Sequence, residues 1–192
     1  MIISKLKKNV DMSPLSDIST SWAAEDIKTA TKLELVQGYD DGSFQPNKTT
    51  TRAEVATVIA RVLGLDTSGK SRYADVANHW GSGAIAALQQ VGLLNGFEDG
   101  SIQPKKEMTR AELVTLLVRT IDPSALPKDA IGFADTSKHW ASNEIAEAKT
   151  LGIVEGSDGK FNPDETVTRA EMVSMVMRLL KLDPKIAEVL KE

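Results

Sequence analysis

Thr51-Arg52-Ala53-Glu54 runs straight into Val55-Ala56-Thr57-Val58-Ile59-Ala60-Arg61-Val62-Leu63. The same tetrapeptide recurs at Thr109-Arg110-Ala111-Glu112 and Thr168-Arg169-Ala170-Glu171, each time ahead of an apolar run. Thr-x-x-Glu is a capping box: the hydroxyl accepts from the amide of the third helical residue, and the glutamate reaches back to the amide of the capping threonine. Counting from each arginine, positions +3, +6, +7 and +11 are apolar in all three copies. They are Val55, Val58, Ile59 and Leu63; Leu113, Leu116, Leu117 and Ile121; Met172, Met175, Val176 and Leu180. That stripe has the helical period, so each copy is predicted to start an amphipathic helix at its threonine.

The cap accounts for threonine and glutamate, and alanine is a good helix former, but arginine is left over. A cation in the first turn opposes the helix dipole. An anion nearby would compensate, because a guanidinium offers a bidentate fork beside the free amides of a helix start. The anion could be internal, with Asp17, Asp75 and Asp135 as the obvious partners, or it could be a ligand. A second arginine recurs nine positions on (Arg61, Arg119, Arg178). It reads as a charge favourable near a helix C-terminus.

Working outward, the tetrapeptide is one mark in a longer repeat. Asp17, Trp22, Ile27, Gly38, Asp41-Gly42-Ser43-Phe44 and Pro46 precede the first copy. Asp75, Trp80, Ile85, Gly96, Asp99-Gly100-Ser101-Ile102 and Pro104 precede the second. Asp135, Trp140, Ile145, Gly156, Asp158-Gly159-Lys160-Phe161 and Pro163 precede the third. Aspartate to tryptophan is five positions every time; tryptophan to arginine is 30, 30 and 29. The three tryptophans of the chain all fall at one repeat position, and chance does not produce that register.

After each tryptophan a first helix is predicted, carrying Ile85, Leu88 and Val91 or Ile145, Ala148 and Leu151 one turn apart. Gly92 and Gly152 stand where a left-handed C-terminal cap belongs. Repeat 1 has Glu34 there, so its helix should end differently or with strain. The Asp-Gly stretches read as turns, because the ligand spacing of a calcium loop is missing. His79 and His139 precede two of the tryptophans and Ser21 the third, which does not suggest a metal pair.

Each unit is too small to bury both its helices alone. The expected fold is all-α, with three repeats in a pseudo-threefold arrangement around a central three-helix bundle; a linear stack of helix pairs is the other possibility. The expected boundaries are an N-terminal flank at 1–14, repeats at 15–72, 73–132 and 133–182, and a C-terminal flank at 183–192. In that last flank Asp183 and Pro184 could open a short helix.

Composition narrows the function. The formal net charge of −4 and a pI near 5.3 argue against nucleic acid, whose binders normally show a basic face. With no cysteine, a thiol nucleophile and cysteine-based zinc sites are excluded. Neither a membrane-length apolar run nor a signal-peptide core is present, so the chain is either cytoplasmic or a mature or excised segment. No catalytic constellation and no metal or cofactor motif appears, and an enzyme is not expected. The tryptophans could be core anchors, or flat platforms for the apolar face of a sugar ring.

The aromatic-x-Asp, Trp, Gly-x-x-Asp-Gly, Pro and Thr-Arg-Ala-Glu pattern, three times from Leu15 to Leu182, resembles the S-layer homology (SLH) domain. That resemblance implies grooves between lobes, and non-covalent anchoring of secreted surface proteins to secondary cell-wall polysaccharide of mainly Gram-positive bacteria. The ligand it implies is a terminal pyruvylated N-acetylmannosamine. By position, Arg52, Arg110 and Arg169 become the carboxylate candidates and Trp22, Trp80 and Trp140 the groove borders. Gly38, Gly96 and Gly156 match the loop glycines, and Asp17, Asp75 and Asp135 would orient arginine or meet sugar hydroxyls. The implied setting is the cell surface, for a single chain that already completes the pseudo-trimer. Repeat 1 departs in having Leu15 for the aromatic, and repeat 3 in its shortened loop at Ser157-Asp158. The rival reading is a helical protein–protein adaptor with the arginines in internal salt bridges; another is a fragment of a hydrolase. If the arginines serve a ligand, replacing one by alanine should leave the melting temperature nearly intact.

Overall fold

The structure, a computed structural model, describes residues 15–190; the flank expected over 1–14 lies outside the described residues. Seven α-helices are present among them: α1 Ala24–Lys32, α2 Arg52–Leu63, α3 Ser82–Gln90, α4 Arg110–Val118, α5 Ser142–Thr150, α6 Arg169–Leu180 and α7 Pro184–Val189. A 3-10 turn, Pro123–Ala125, lies between repeats 2 and 3. No strand forms among the described residues, only isolated bridges, and the class is all-α. Asp183 caps α7 by accepting from the Lys185 amide.

Full capping boxes close the starts of α2, α4 and α6. The Thr51, Thr109 and Thr168 hydroxyls accept from the Glu54, Glu112 and Glu171 amides, and each glutamate accepts from its threonine amide in return. Just before these starts, the three chains meet in a closed cycle of hydrogen bonds. Thr50 N–H donates to Val167 O, Val167 N–H to Met108 O, and Met108 N–H to Thr50 O. One residue pair further out, Arg52 N–H donates to Lys106 O, Arg110 N–H to Glu165 O and Arg169 N–H to Lys48 O. Every bond runs between neighbouring repeats in cyclic order, so the repeats form a ring with threefold character. A linear stack would leave repeats 1 and 3 apart.

Helix packing follows the same order. α2 packs on α3, α4 on α5, and α6 on α1. Each lobe is therefore shared, pairing the capped helix of one repeat with the first helix of the next. Among the capped helices themselves, α4 and α6 make the closer mutual contact. One continuous apolar core links all three lobes, and Phe44, Ile102 and Phe161 are fully buried at one repeat position. Burying those faces is what holds units this small together.

The first helices end alike. Gly92 and Gly152 are left-handed with φ of 73° and 73°, and Glu34 adopts the same region at 59°. Repeat 1 thus keeps the shared ending with a side chain that strains it. Glu34→Gly is expected to stabilise the fold by about 0.5–1 kcal/mol, less than the full left-handed penalty because glycine also loosens the unfolded chain. Urea unfolding checks this, and an unchanged midpoint would refute the strain.

Candidate functional site: arginine clamps and the grooves between repeats

The three arginines do not point at the aspartates the sequence offered them. Each crosses to the next repeat and is less than a tenth exposed. Arg52 Nε donates to Ile102 O at 2.9 Å, Arg110 Nε to Phe161 O at 2.8 Å, and Arg169 Nε to Phe44 O at 2.8 Å. Their guanidinium planes lie over rings of that neighbour: Arg52 4.7 Å from the Phe97 centroid, Arg110 4.5 Å from Phe161, and Arg169 4.3 Å from Phe44. Burial holds the Arg52 guanidinium below its ordinary value, and the charge of Glu112 partly restores it.

The aspartates hold the other side of the same residue. Asp17 accepts from the Phe44 and Gln45 amides at 2.7 and 2.8 Å. Asp75 accepts from Ile102 and Gln103, and Asp135 from Phe161 and Asn162. Gln45, Gln103 and Asn162 have φ of 56°, 53° and 56°, so the carboxylate secures a left-handed backbone that side chains disfavour. Aspartate fixes the amide and arginine the carbonyl of one buried residue. This corrects the expectation that the aspartates pair with arginine.

The internal anion is instead the capping glutamate of the next repeat. Arg110 Nη1 contacts Glu171 Oε1, and Arg169 Nη1 is 3.9 Å from Glu54 Oε1. The helix amides are committed too. Beyond the arginine amides, Ala53, Ala111 and Ala170 donate to Pro104, Pro163 and Pro46 carbonyls. The capped helix starts therefore offer no free amide cradle, contrary to the sequence-level picture. What remains is outward guanidinium. Arg52 and Arg169 spend Nη2 on the Asn95 and Gln37 carbonyls, at 3.2 and 2.9 Å. Arg110 Nη2 and Arg52 Nη1 have no acceptor among the described residues.

Trp22, Trp80 and Trp140 are 66%, 66% and 63% exposed, which rules out the core-anchor reading. The turn before each first helix sets their position: His79 and His139 Nδ1 accept from the Gly81 and Ala141 amides, and Ser21 Oγ accepts from Ala23. That shared role explains why serine replaces histidine in repeat 1. Trp22 walls a groove of about 600 Å³ with Arg110, Gly156, Lys160, Glu171 and Arg178. Trp140 walls one of about 160 Å³ with Arg52, Asn95, Glu112 and Arg119. Each groove joins all three repeats, and the arginine and tryptophan at its walls come from different ones.

The loop glycines are needed for space. A side chain at Gly38, Gly96 or Gly156 would meet Leu15, Tyr73 or Phe133 at 2.6, 2.7 and 2.5 Å. The aromatic of the repeat pattern therefore packs where the glycine has no side chain, and Leu15 fills that role in repeat 1. Gly156 N–H has no acceptor among the described residues and lines the larger groove. Arg119 and Arg178, read from the sequence as helix-end charges, line the two grooves, and Arg178 pairs with Glu155 at 3.0 Å. Ser174 and Thr115 also line them and carried no sequence signal beyond their shared register.

The sequence profile of the S-layer homology domain matches residues 14–56, 72–114 and 132–173, more than half of the chain. The chain belongs to the S-layer homology domain family. It is 36% identical over 170 residues to cell surface glycoprotein 1 of Acetivibrio thermocellus, a match covering 78% of this chain and 7% of that protein. It is 28% identical over 188 residues to a cellulosome-anchoring protein of the same organism, covering 90% and 42%. It is 30% identical over 162 residues to the S-layer protein sap of Bacillus anthracis, covering 82% and 20%. This chain thus spans less than half the length of each. No helix among the described residues is long and apolar enough to cross a membrane.

One pH dependence follows from the clamp. Burial pushes the Asp135 carboxyl up, but hydrogen bonds from the Phe161 and Asn162 amides outweigh it and hold the group below its ordinary value. A lowered folded value means that the contribution is fully present above the unfolded pKa of about 3.9 and is lost as pH falls below it. Asp135→Asn should therefore lose stability at neutral pH and show a shallower further loss on acidification. Urea midpoints at about pH 7 and pH 3 test this; parallel losses in both proteins would contradict it.

Proposed function

We propose that this chain is a non-catalytic anchoring module of the cell surface, holding a larger exported protein to secondary cell-wall polysaccharide. Its arginine grooves take an acidic sugar, the pyruvylated N-acetylmannosamine terminus being the best fit. The observation that carries this is the Arg110 groove. There a buried guanidinium keeps Nη2 uncommitted in a cavity of about 600 Å³, faced by exposed Trp22 and the unpartnered amide of Gly156. A ketal carboxylate suits the guanidinium and amide, and a pyranose face suits the indole. The cell-surface, cellulosome-anchoring and S-layer relatives support the anchoring role. Three repeats closed into one ring support a monomer that is already a pseudo-trimer.

The Arg110–Glu171 contact favours the alternative, a protein–protein adaptor with its arginines in internal pairs. Calorimetry separates the two. The intact chain should bind pyruvylated wall polysaccharide and bind the depyruvylated polymer at least tenfold more weakly, about 1.4 kcal/mol. Chelators should change neither value. Equal binding of both polymers would remove the carboxylate role.

A further inference from the structure

Two polar side chains in the described residues are buried with no hydrogen-bond partner: Ser174 Oγ and Thr115 Oγ1. Their residues are 3% and 5% exposed. Both hold the same place, five residues after the capping-box arginine on α6 and α4. Both line a groove, Ser174 the one with Arg110 and Trp22, Thr115 the one with Arg52 and Trp140. Proteins leave few buried hydroxyls unpaired, because each one forfeits its hydration without return. A repeat of that omission at two equivalent groove positions points to a partner that arrives from outside.

The third copy supplies the contrast. Thr57 occupies the same position on α2, but its hydroxyl donates to the Ala53 carbonyl one turn back at 2.8 Å. The arginine one turn beyond differs as well. Arg61 Nη1 donates to Leu35 O at 3.1 Å, while Arg178 reaches out to exposed Glu155. The Arg169 side of the ring satisfies these groups within the protein; the Arg110 and Arg52 sides do not satisfy the hydroxyl.

We infer that Ser174 and Thr115 are ligand-contact residues, each giving its hydroxyl to a polar group of a bound saccharide ring, while Arg110 or Arg52 holds the carboxylate. This rests on the saccharide reading above. Serine and threonine hydroxyls both donate and accept, so a ring hydroxyl or an N-acetyl oxygen satisfies them equally. Both oxygens are buried, so contact with a ligand requires rotation about the Cα–Cβ bond into another staggered well. Two grooves of the three are then built for ligand. The Arg110 groove is the larger of the two, and each keeps one uncommitted guanidinium nitrogen, Nη2 of Arg110 and Nη1 of Arg52.

The test is calorimetry of the full chain with the methyl glycoside of pyruvylated N-acetylmannosamine, on the wild type and on Ser174→Ala, Thr115→Val and Thr57→Val. The wild type should titrate as two sites. Ser174→Ala should weaken one of them about five- to tenfold and Thr115→Val the other by a similar factor. Thr57→Val should leave both unchanged. Neither Ser174→Ala nor Thr115→Val should lower the melting temperature, since removing an unpaired buried hydroxyl is neutral or stabilising. A merely structural hydroxyl would give the opposite pattern. A wild type that binds while Ser174→Ala and Thr115→Val bind equally well overturns this inference alone. A wild type that ignores the glycoside overturns the saccharide reading and this inference with it.

Discussion

Arg169→Ala is expected to lower the free energy of unfolding by about 3 kcal/mol and the melting temperature by about 6–12 °C. Truncation leaves the carbonyls of Phe44 and Gln37 without their donor and removes the cation lying over the Phe44 and Tyr39 rings. Those two bonds join positions 125 and 132 residues apart and tie repeat 3 back to repeat 1. Losing them weakens the step that closes the ring. Arg169→Lys should recover less than half of the loss, because an ammonium cannot serve two carbonyls in a fixed fork. Urea unfolding reads both variants, and a loss below about 0.5 kcal/mol for alanine would show that the clamp is ornamental. The outcome expected here differs from the sequence-level expectation that alanine would spare the melting temperature. A side chain can face a ligand and still hold the scaffold, and each of these arginines bonds a buried carbonyl of the next repeat.

Phe161→Ala should cost about 4 kcal/mol and weaken saccharide binding in the same protein. The ring is 1% exposed, stacks on Phe133 at 5.5 Å between centroids, and lies 4.5 Å beneath the Arg110 guanidinium. Its amide and carbonyl remain in the variant, so the Asp135 and Arg110 bonds to the backbone can persist. The deleted ring leaves a cavity under the groove, and the guanidinium loses the surface that fixes its plane. Chemical denaturation measures the first effect and calorimetry with pyruvylated polysaccharide the second. Affinity at the wild-type level in a clearly destabilised variant would mean that the backbone bonds alone place Arg110.

The starts of α2, α4 and α6 were fully legible. Thr51, Thr109 and Thr168 with their glutamates act within four residues, so local chemistry settles them. Family membership was equally legible, since it rests on register. The exposure of Trp22, Trp80 and Trp140 was not legible, because a lone tryptophan in an aromatic-poor chain fits a core as well as a rim. Nor were the partners of Asp17, Asp75 and Asp135 legible: they bond amides 26 to 28 residues onward rather than a nearby cation. Arg178 looks like a helix-end charge and Ser174 carries no signal of its own until Trp22 from another repeat completes the groove that they line.

The sequence by itself determined what its short-range grammar controls: the capped helices, the turns, the repeat and hence the family. Only the tertiary structure decided that the repeats close into a ring and that each arginine clamps the next repeat. It also decided which hydroxyls are left without partners. The physical reason is reach. Caps and turns are made within a few residues, whereas a guanidinium clamped on a neighbouring repeat, or a groove walled by three repeats, exists only after chain segments from 50 to 132 residues apart have met.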